Sequence, residues 1–172
     1  MEKKLFLICT MLGCLFFAGC AANNAFLLTN QKQLGFKPEE GGVLLSFVLT
    51  ANYKMAPNAI YVQEINQYKH FNKRKIQTLS VPKPDANNGL YFLNAKLPRG
   101  RYLLTSIGGS SQTYASCWKM FVVKSGEILY IGRIDAKPGS SEIKDYYKED
   151  VQFFTNKYPL LQSEKIKKGL LY

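Results

Sequence analysis

Short apolar or alternating runs follow one another through the middle of the chain, and turn-forming residues separate them. The pattern predicts seven strands, at residues 43–50, 58–68, 74–81, 89–96, 100–108, 113–124 and 127–134. The segments between them contain Pro, Gly, Asn and Asp, which end strands and form turns. Because no helical period interrupts this series, we expect a mainly β fold with two antiparallel sheets packed face to face.

Two of the predicted strands are apolar on both faces, around residues 89–94 and 102–107. A strand with one face in water would alternate more cleanly between apolar and polar residues. We therefore expect these two strands at the centre of a packed sandwich.

The hydrophobic period changes after Gly139. Four apolar residues then recur at helical spacing: Tyr147, Val151, Phe154 and Tyr158. This predicts one amphipathic helix, capped at Ser140 or Ser141 and ended by Pro159. We expect its aromatic stripe to pack across the sandwich. Residues 160–172 form a predicted basic tail.

The amino terminus has the order of a signal peptide, with lysines first, an apolar run next and small residues at the end. The apolar run, residues 5–17, is shorter than the roughly 20 residues that a membrane-spanning helix needs. Phe17-Ala18-Gly19-Cys20 resembles the lipobox of bacterial lipoproteins, and the resemblance implies cleavage before Cys20 and acylation of its thiol. An ordinary cleaved signal peptide and an uncleaved anchor are the alternatives.

The lipobox resemblance also implies a location. Ala21 follows the cysteine, which resembles the sorting signal for export to the outer membrane rather than retention at the inner one. Acylated Cys20 would connect the protein to the membrane, because two or three acyl chains form a stable anchor. We therefore divide the chain into a signal peptide (1–19), a lipidated tether (20–42), a sandwich domain (43–135) and a C-terminal helix with its basic tail (136–172).

Cysteine and histidine chemistry is sparse. Cys9 and Cys14 lie in the predicted signal peptide and Cys20 would carry lipid, so Cys117 is left without a partner for an intramolecular disulfide. We interpret Cys117 as a small buried hydrophobe on a strand. A nucleophilic dyad with His70, the single histidine, would need a hairpin and the sixth strand to meet, and we do not expect it.

Composition supports a folded, basic domain. Hydrophobic residues make up 47% of the 172 residues and charged residues only 20%, which excludes wholesale disorder. The formal charge is +11, and removal of residues 1–19 leaves +10 on the exported part. A basic chain often binds nucleic acid, but the export address makes nucleic acid an unexpected partner.

The basic residues form two groups, a run at Lys69, Lys73, Arg74 and Lys75 and a tail at Lys165, Lys167 and Lys168. They are candidate contacts for anionic lipid, glycan or a protein of the cell envelope. The alternative is a solvated hairpin tip and tail in a lysine-rich protein.

The sequence contains no pattern typical of a metal or cofactor site, and we predict neither. Four carboxylates near the predicted helix, Glu142, Asp145, Glu149 and Asp150, are expected on its solvated face. An enzyme would need at least two convergent titratable groups, for which Glu64, Asp85 and Asp135 are the candidates if they are buried together.

One further motif carries a family resemblance. Leu97-Pro98-Arg99-Gly100-Arg101-Tyr102 resembles the signature of transthyretin-like (carboxypeptidase-regulatory-like) sandwich domains, in which proline and glycine form a turn and tyrosine begins an inward-facing strand. Residues 121–132 are similar to the closing hairpin of a family of uncharacterised bacterial lipoproteins with such a domain. The resemblance implies a seven-stranded antiparallel sandwich and no catalytic residues.

These observations together predict a lipid-anchored envelope protein that acts as a non-enzymatic binding or assembly module. The alternatives are an enzyme or inhibitor of envelope polymers, and a passive structural lipoprotein.

Overall fold

Two β-sheets and one α-helix make up the part of the chain that the computed structural model describes, residues 35–49, 57–65, 76–81, 89–108, 113–137, 139–162 and 164–169. The strands are β1 (Glu40–Leu49), β2 (Ala59–Glu64), β3 (Ile76–Ser80), β4 (Leu90–Pro98), β5 (Gly100–Gly108), β6 (Thr113–Val123), β7 (Ile128–Lys137), β8 (Ser140–Lys144) and β9 (Ile166–Lys168). Helix α1 (Tyr147–Lys157) and a 3₁₀ helix (Pro159–Leu161) lie between β8 and β9.

Each of the seven predicted strands has a counterpart in the structure, but the prediction of seven strands was wrong. The described residues contain nine, because β8 and β9 were not predicted. Ser140 and Ser141 belong to β8, where Ser141 is the register partner of Ala136 on β7, and they are not the cap of the helix. Residues 166–168, predicted as tail, form β9 alongside Ile128 to Tyr130.

The first sheet has the strand order β4-β1-β7-β8, and β9 pairs with β7 next to β8. The second sheet has the order β3-β2-β5-β6 and is antiparallel throughout. The prediction of an entirely antiparallel sandwich was wrong for the first sheet, because β1 and β9 both run parallel to β7. Parallel neighbours require long crossover connections, and here the whole second sheet lies between β1 and β7 along the chain.

The main core lies between the two sheets. Its largest completely buried side chains come from both of them: Phe47, Leu45, Leu93 and Leu97 from the first, and Tyr102, Leu104, Ile60 and Leu79 from the second. Such alternate inward-facing residues from two sheets are the usual core of a β-sandwich. The prediction of two packed sheets is therefore confirmed.

A second apolar cluster lies on the outer face of the first sheet, beneath α1. Phe154 and Tyr158 of the predicted helical stripe are buried there against Leu44, Phe92 and Tyr130. The stripe is therefore confirmed. The expectation that the strand around Phe92 is a central strand was wrong, because β4 is an edge strand whose second apolar face is covered by α1. By contrast, nothing among the described residues covers the outer face of β5 in this way.

The residues next to its two ends explain where α1 begins and where it ends. The helix begins after Tyr146 without a side-chain cap, and the Tyr147 amide donates to Oδ1 of Asp145, two residues earlier in the chain (3.2 Å). It ends at Lys157, two residues before Pro159, as predicted. Pro159 then begins the 3₁₀ helix.

The chain crosses from the first sheet to the second at the motif around residues 97–102. Pro98 and Gly100 flank the turn between β4 and β5. Tyr102 is completely buried, and its hydroxyl donates to the Pro98 carbonyl (2.8 Å). The proline and the glycine therefore stand at the turn, and the tyrosine faces the core.

Strand β1 begins at Glu40, three residues before the predicted start. Gly41 and Gly42 lie inside the strand, and the turn between β6 and β7 lies directly against the backbone of Gly41. The Gly42 amide donates to the Glu127 carbonyl (2.8 Å), and a Cβ on Gly41 would meet the carbonyl oxygens of Lys124 and Glu127. A glycine inside a strand often marks such a close approach of another backbone.

Candidate functional site

A buried carboxylate joins α1 to the outer face of the first sheet. Asp150 in the first turn of α1 is completely buried and forms a salt bridge with Arg133 of β7. Its Oδ2 atom also accepts hydrogen bonds from the Ser46 and Tyr130 hydroxyls, both at 2.5 Å. The prediction that Asp150 lies on a solvated helix face was wrong, because donors on β1 and β7 replace the water around it.

The strand register brings these donors together. Leu44 lies opposite Tyr130, but Ser46 lies opposite Arg133, so β7 has one residue more than β1 over this interval. The extra residue forms a bulge at Gly132, whose φ of 112° favours glycine. Because of the bulge, Arg133 lies on the same face as Tyr130 and beneath α1.

Asp150 stabilises this junction and is closed to solvent. Burial raises the pKa of the Tyr130 hydroxyl, and the hydrogen bond with Asp150 raises it further. The guanidinium of Arg133 also lies over the Tyr146 ring, 4.0 Å from its centroid. A completely buried carboxylate that accepts bonds from three side chains has no open face for a substrate.

A surface cleft of about 230 Å³ opens beside this junction, where α1 no longer covers the sheet. One wall is a register row across three strands, Leu90 of β4, Val48 of β1 and Asp135 of β7. Arg133, Lys144 and Tyr146 complete the lining. The cleft therefore combines an apolar wall, an aromatic ring and charges of both signs.

The charges at the cleft are paired with one another. Lys144 Nζ donates to Asp135 Oδ2 (2.8 Å), and this hydrogen bond raises the pKa of the Lys144 amine. Lys137 Nζ lies 3.8 Å from the same carboxylate oxygen and 3.7 Å from Glu142 Oε2. Glu142 is on β8 rather than on the predicted helix. A lysine held in its charged form can bind an acidic group but is a poor general base.

The structure describes only part of the predicted basic contact. Lys167 and Lys168 on β9 each form a salt bridge, with Glu127 (2.5 Å) and Asp145 respectively, while Lys165 is exposed. These pairs lower the pKa of both carboxyl groups. Lys69, Lys73, Arg74 and Lys75 lie outside the described residues, as does Cys20.

The residues considered for catalysis are not brought together where they are described. Glu64 lies at the end of β2 opposite Tyr102 in the second sheet, whereas Asp135 lies opposite Val48 near the far end of β1 in the first. Asp85 and His70 lie outside the described residues. Cys117 is buried on β6, as predicted, and burial raises the pKa of its thiol.

The sequence did contain signals for the junction that were not used. Asp150 is three residues after Tyr147 and four before Phe154, so it belongs to the apolar face of the helix. Ser46 interrupts a continuous apolar run in β1 in the same way. A polar residue inside each of two apolar faces predicts a buried hydrogen-bonded pair.

In comparisons with known proteins, no family model, no curated protein and no solved structure matches this chain. Within the described ranges, no helix is long and apolar enough to cross a membrane. The same ranges contain no group of three or more Cys, His, Asp or Glu side chains placed to hold a metal ion.

Proposed function

We propose that this chain is a lipid-anchored protein of the bacterial cell envelope, with a transthyretin-like sandwich that acts as a non-enzymatic binding or assembly module. The observation that carries the binding role is the cleft beside Arg133. Its apolar and aromatic walls are open to solvent, while its ionisable groups are already paired. A site of this kind can hold a ligand but offers no free acid and base for a reaction.

The amino-terminal sequence supports the anchor. Acylation of Cys20 would keep the domain close to a bilayer, because only a short tether separates the two. The sorting residue Ala21 favours the outer membrane. We expect palmitate to label the wild-type protein and not Cys20→Ala. The matched control is Cys14→Ala, which removes a cysteine from the signal peptide and leaves labelling intact. Equal labelling of wild type and Cys20→Ala would overturn the anchor.

The basic run before β3 supports an anionic partner, either lipid or glycan. We expect the protein to be retained on anionic envelope material in a salt-sensitive manner. The triple variant Lys73→Ser/Arg74→Ser/Lys75→Ser should lose this retention. Its matched control, Lys37→Ser/Lys96→Ser/Lys148→Ser, removes the same charge from dispersed positions and should keep most of it. If the first variant is retained like wild type, the basic run is not the contact.

A further inference from the structure

The outer face of the second sheet exposes large apolar side chains. Trp118, Met120 and Val122 occupy successive outward positions on β6, with 65%, 51% and 49% of their surfaces accessible. Ile76 on β3 is 59% accessible at the other edge of the sheet. The register joins these edges in one row, Ile76–Gln63–Leu103–Met120, in which the polar Gln63 separates Ile76 from Leu103, so the contiguous apolar surface is the part on β5 and β6. Contiguous apolar surface of this kind marks an interaction site.

Trp118 points outward from a strained backbone position. Leu104 lies opposite Lys119 and Ser106 opposite Ser116, so Cys117 and Trp118 together face Thr105 across a bulge. Trp118 has φ of 46°, a left-handed conformation that bulky residues rarely adopt. A strained tryptophan with 65% of its surface accessible gains little from packing within this domain, which points to a contact outside it.

The charge of this face is positive. The four strands of the second sheet contain one carboxylate, Glu64, and it lies at the register of the inward-facing Tyr102. Arg101, opposite Val122, is exposed on the outer face, and exposed Lys124 follows two residues after Val122. An apolar band bordered by cations complements a surface that is apolar inside and anionic outside.

We propose that this face lies against an anionic lipid surface, with Trp118, Met120 and Val122 in the headgroup region and Arg101 and Lys124 on lipid phosphates. Tryptophan favours this depth because its ring is apolar and its indole N–H can still reach water. A second copy of the chain fits less well, because symmetric pairing would bring Arg101 and Lys124 of both copies together without an outward-facing carboxylate from these strands. The inference rests on the proposed function for the anchor that keeps the domain near a bilayer.

Trp118 is the single tryptophan, so the tryptophan fluorescence of the protein shows directly whether this residue contacts lipid. The full chain is reconstituted in vesicles of phosphatidylglycerol or of phosphatidylcholine, and Trp118 emission is recorded. We expect emission at shorter wavelength, and quenching by lipids brominated near the headgroup, with phosphatidylglycerol only. Met120→Ser/Val122→Ser should lose both effects.

Two charge variants test the cations. In a Cys20→Ala background, which lacks the acyl anchor, Arg101→Ser/Lys124→Ser should weaken partition into phosphatidylglycerol vesicles about 30-fold. Lys148→Ser/Lys157→Ser removes the same charge from α1, on the other sheet, and should change partition little. Circular dichroism of each variant verifies that the fold is retained.

The remaining outcomes separate this inference from the proposed anchor. Solvent-exposed emission without quenching, in a protein that carries palmitate, would overturn the lipid contact and leave the anchor standing. Quenching in a protein without palmitate would support the contact and remove the anchor. Equal quenching with both lipids would overturn the recognition of anionic lipid. An emission shift that depends on protein concentration without vesicles would assign the face to a second copy and overturn the inference.

Discussion

Arg133 on β7 and Asp150 on α1 form a salt bridge in which the carboxylate is completely buried and the guanidinium reaches the surface cleft. The pair therefore connects the packing of the helix with the lining of the candidate binding site. Ser46 and Tyr130 supply the other donors to the same carboxylate. Separation of the helix from the sheet would break these hydrogen bonds or expose them to water.

The first prediction concerns this junction. Asp150→Ala should lower the free energy of unfolding by about 3 kcal/mol, because it leaves the Arg133 guanidinium and the Tyr130 hydroxyl without their acceptor. Urea unfolding followed by circular dichroism measures the change. The control is Glu149→Ala, an adjacent exposed carboxylate whose removal should cost less than about 0.5 kcal/mol. Equal losses in both variants would contradict a structural role of the pair.

The second prediction separates strain from function at Trp118. Trp118→Gly should retain the free energy of unfolding or raise it by about 1 kcal/mol, because glycine adopts positive φ without steric cost. In a Cys20→Ala background, in which no acyl chain holds the protein on the membrane, the same variant should lose sedimentation with phosphatidylglycerol vesicles. Trp118→Ala keeps the strain and removes the ring, so it should lose sedimentation without the gain in stability. A large destabilisation by Trp118→Gly would show instead that the ring supports the fold.

The third prediction concerns the close approach of the turn between β6 and β7 to the backbone of β1. Gly41→Ala should destabilise the protein by about 2 kcal/mol, because its Cβ would press on two backbone carbonyls that cannot move aside. Thermal unfolding measures the change. Gly100→Ala is the control, since its Cβ would lie 3.4 Å from the Tyr102 ring, an ordinary contact. Comparable effects of the two substitutions would argue against the close approach.

The fourth prediction concerns alkaline pH. Burial raises the pKa of Tyr102 to about 12, and nearby Glu64 adds to the shift; the pKa of Tyr130 is also raised. Both hydroxyls stay neutral in the folded protein at a pH where they ionise in the unfolded chain. Their contribution to stability is therefore complete below about pH 10 and is lost as the pH rises through the folded values.

Tyrosinate absorbance and urea unfolding at increasing pH measure this loss. Tyr102→Phe should be less stable than wild type at neutral pH, because it loses the hydrogen bond to Pro98. It should also lose less of its remaining stability between about pH 10 and 12, since one of the two tyrosines whose pKa is raised by burial is absent. Identical alkaline profiles would exclude Tyr102 as a contributor.

The strands that the sequence predicted are those whose side chains alternate or are apolar on both faces, such as β4 and β5. Strands β8 and β9 escaped prediction because Ser140–Lys144 and Ile166–Lys168 contain one isoleucine each and otherwise polar residues. They are strands because the free edge of β7 offers backbone partners. That edge exists only in the assembled sheet, so the local sequence of each segment does not indicate that it will pair there.

The candidate site was less predictable than the fold. Cys117 could be placed from its own neighbours, because a cysteine in an apolar strand is usually buried. The burial of Asp150 depends on Ser46, Tyr130 and Arg133, which are distant in sequence and meet only after β1 and β7 pair with a bulge. Long-range pairing of this kind cannot be derived from local hydrophobic period.

Because β1 lies between β4 and β7, the first sheet cannot form completely until both of those strands are available. Leu44 lies opposite Asn94 and Tyr130, about 50 and about 86 residues further along the chain, so its ladders close long loops and should form slowly. Until β7 is available, β1 presents an apolar strand with one unpaired edge. Such edges recruit other chains, so the interval before β7 docks is the stage at which this protein is most exposed to aggregation.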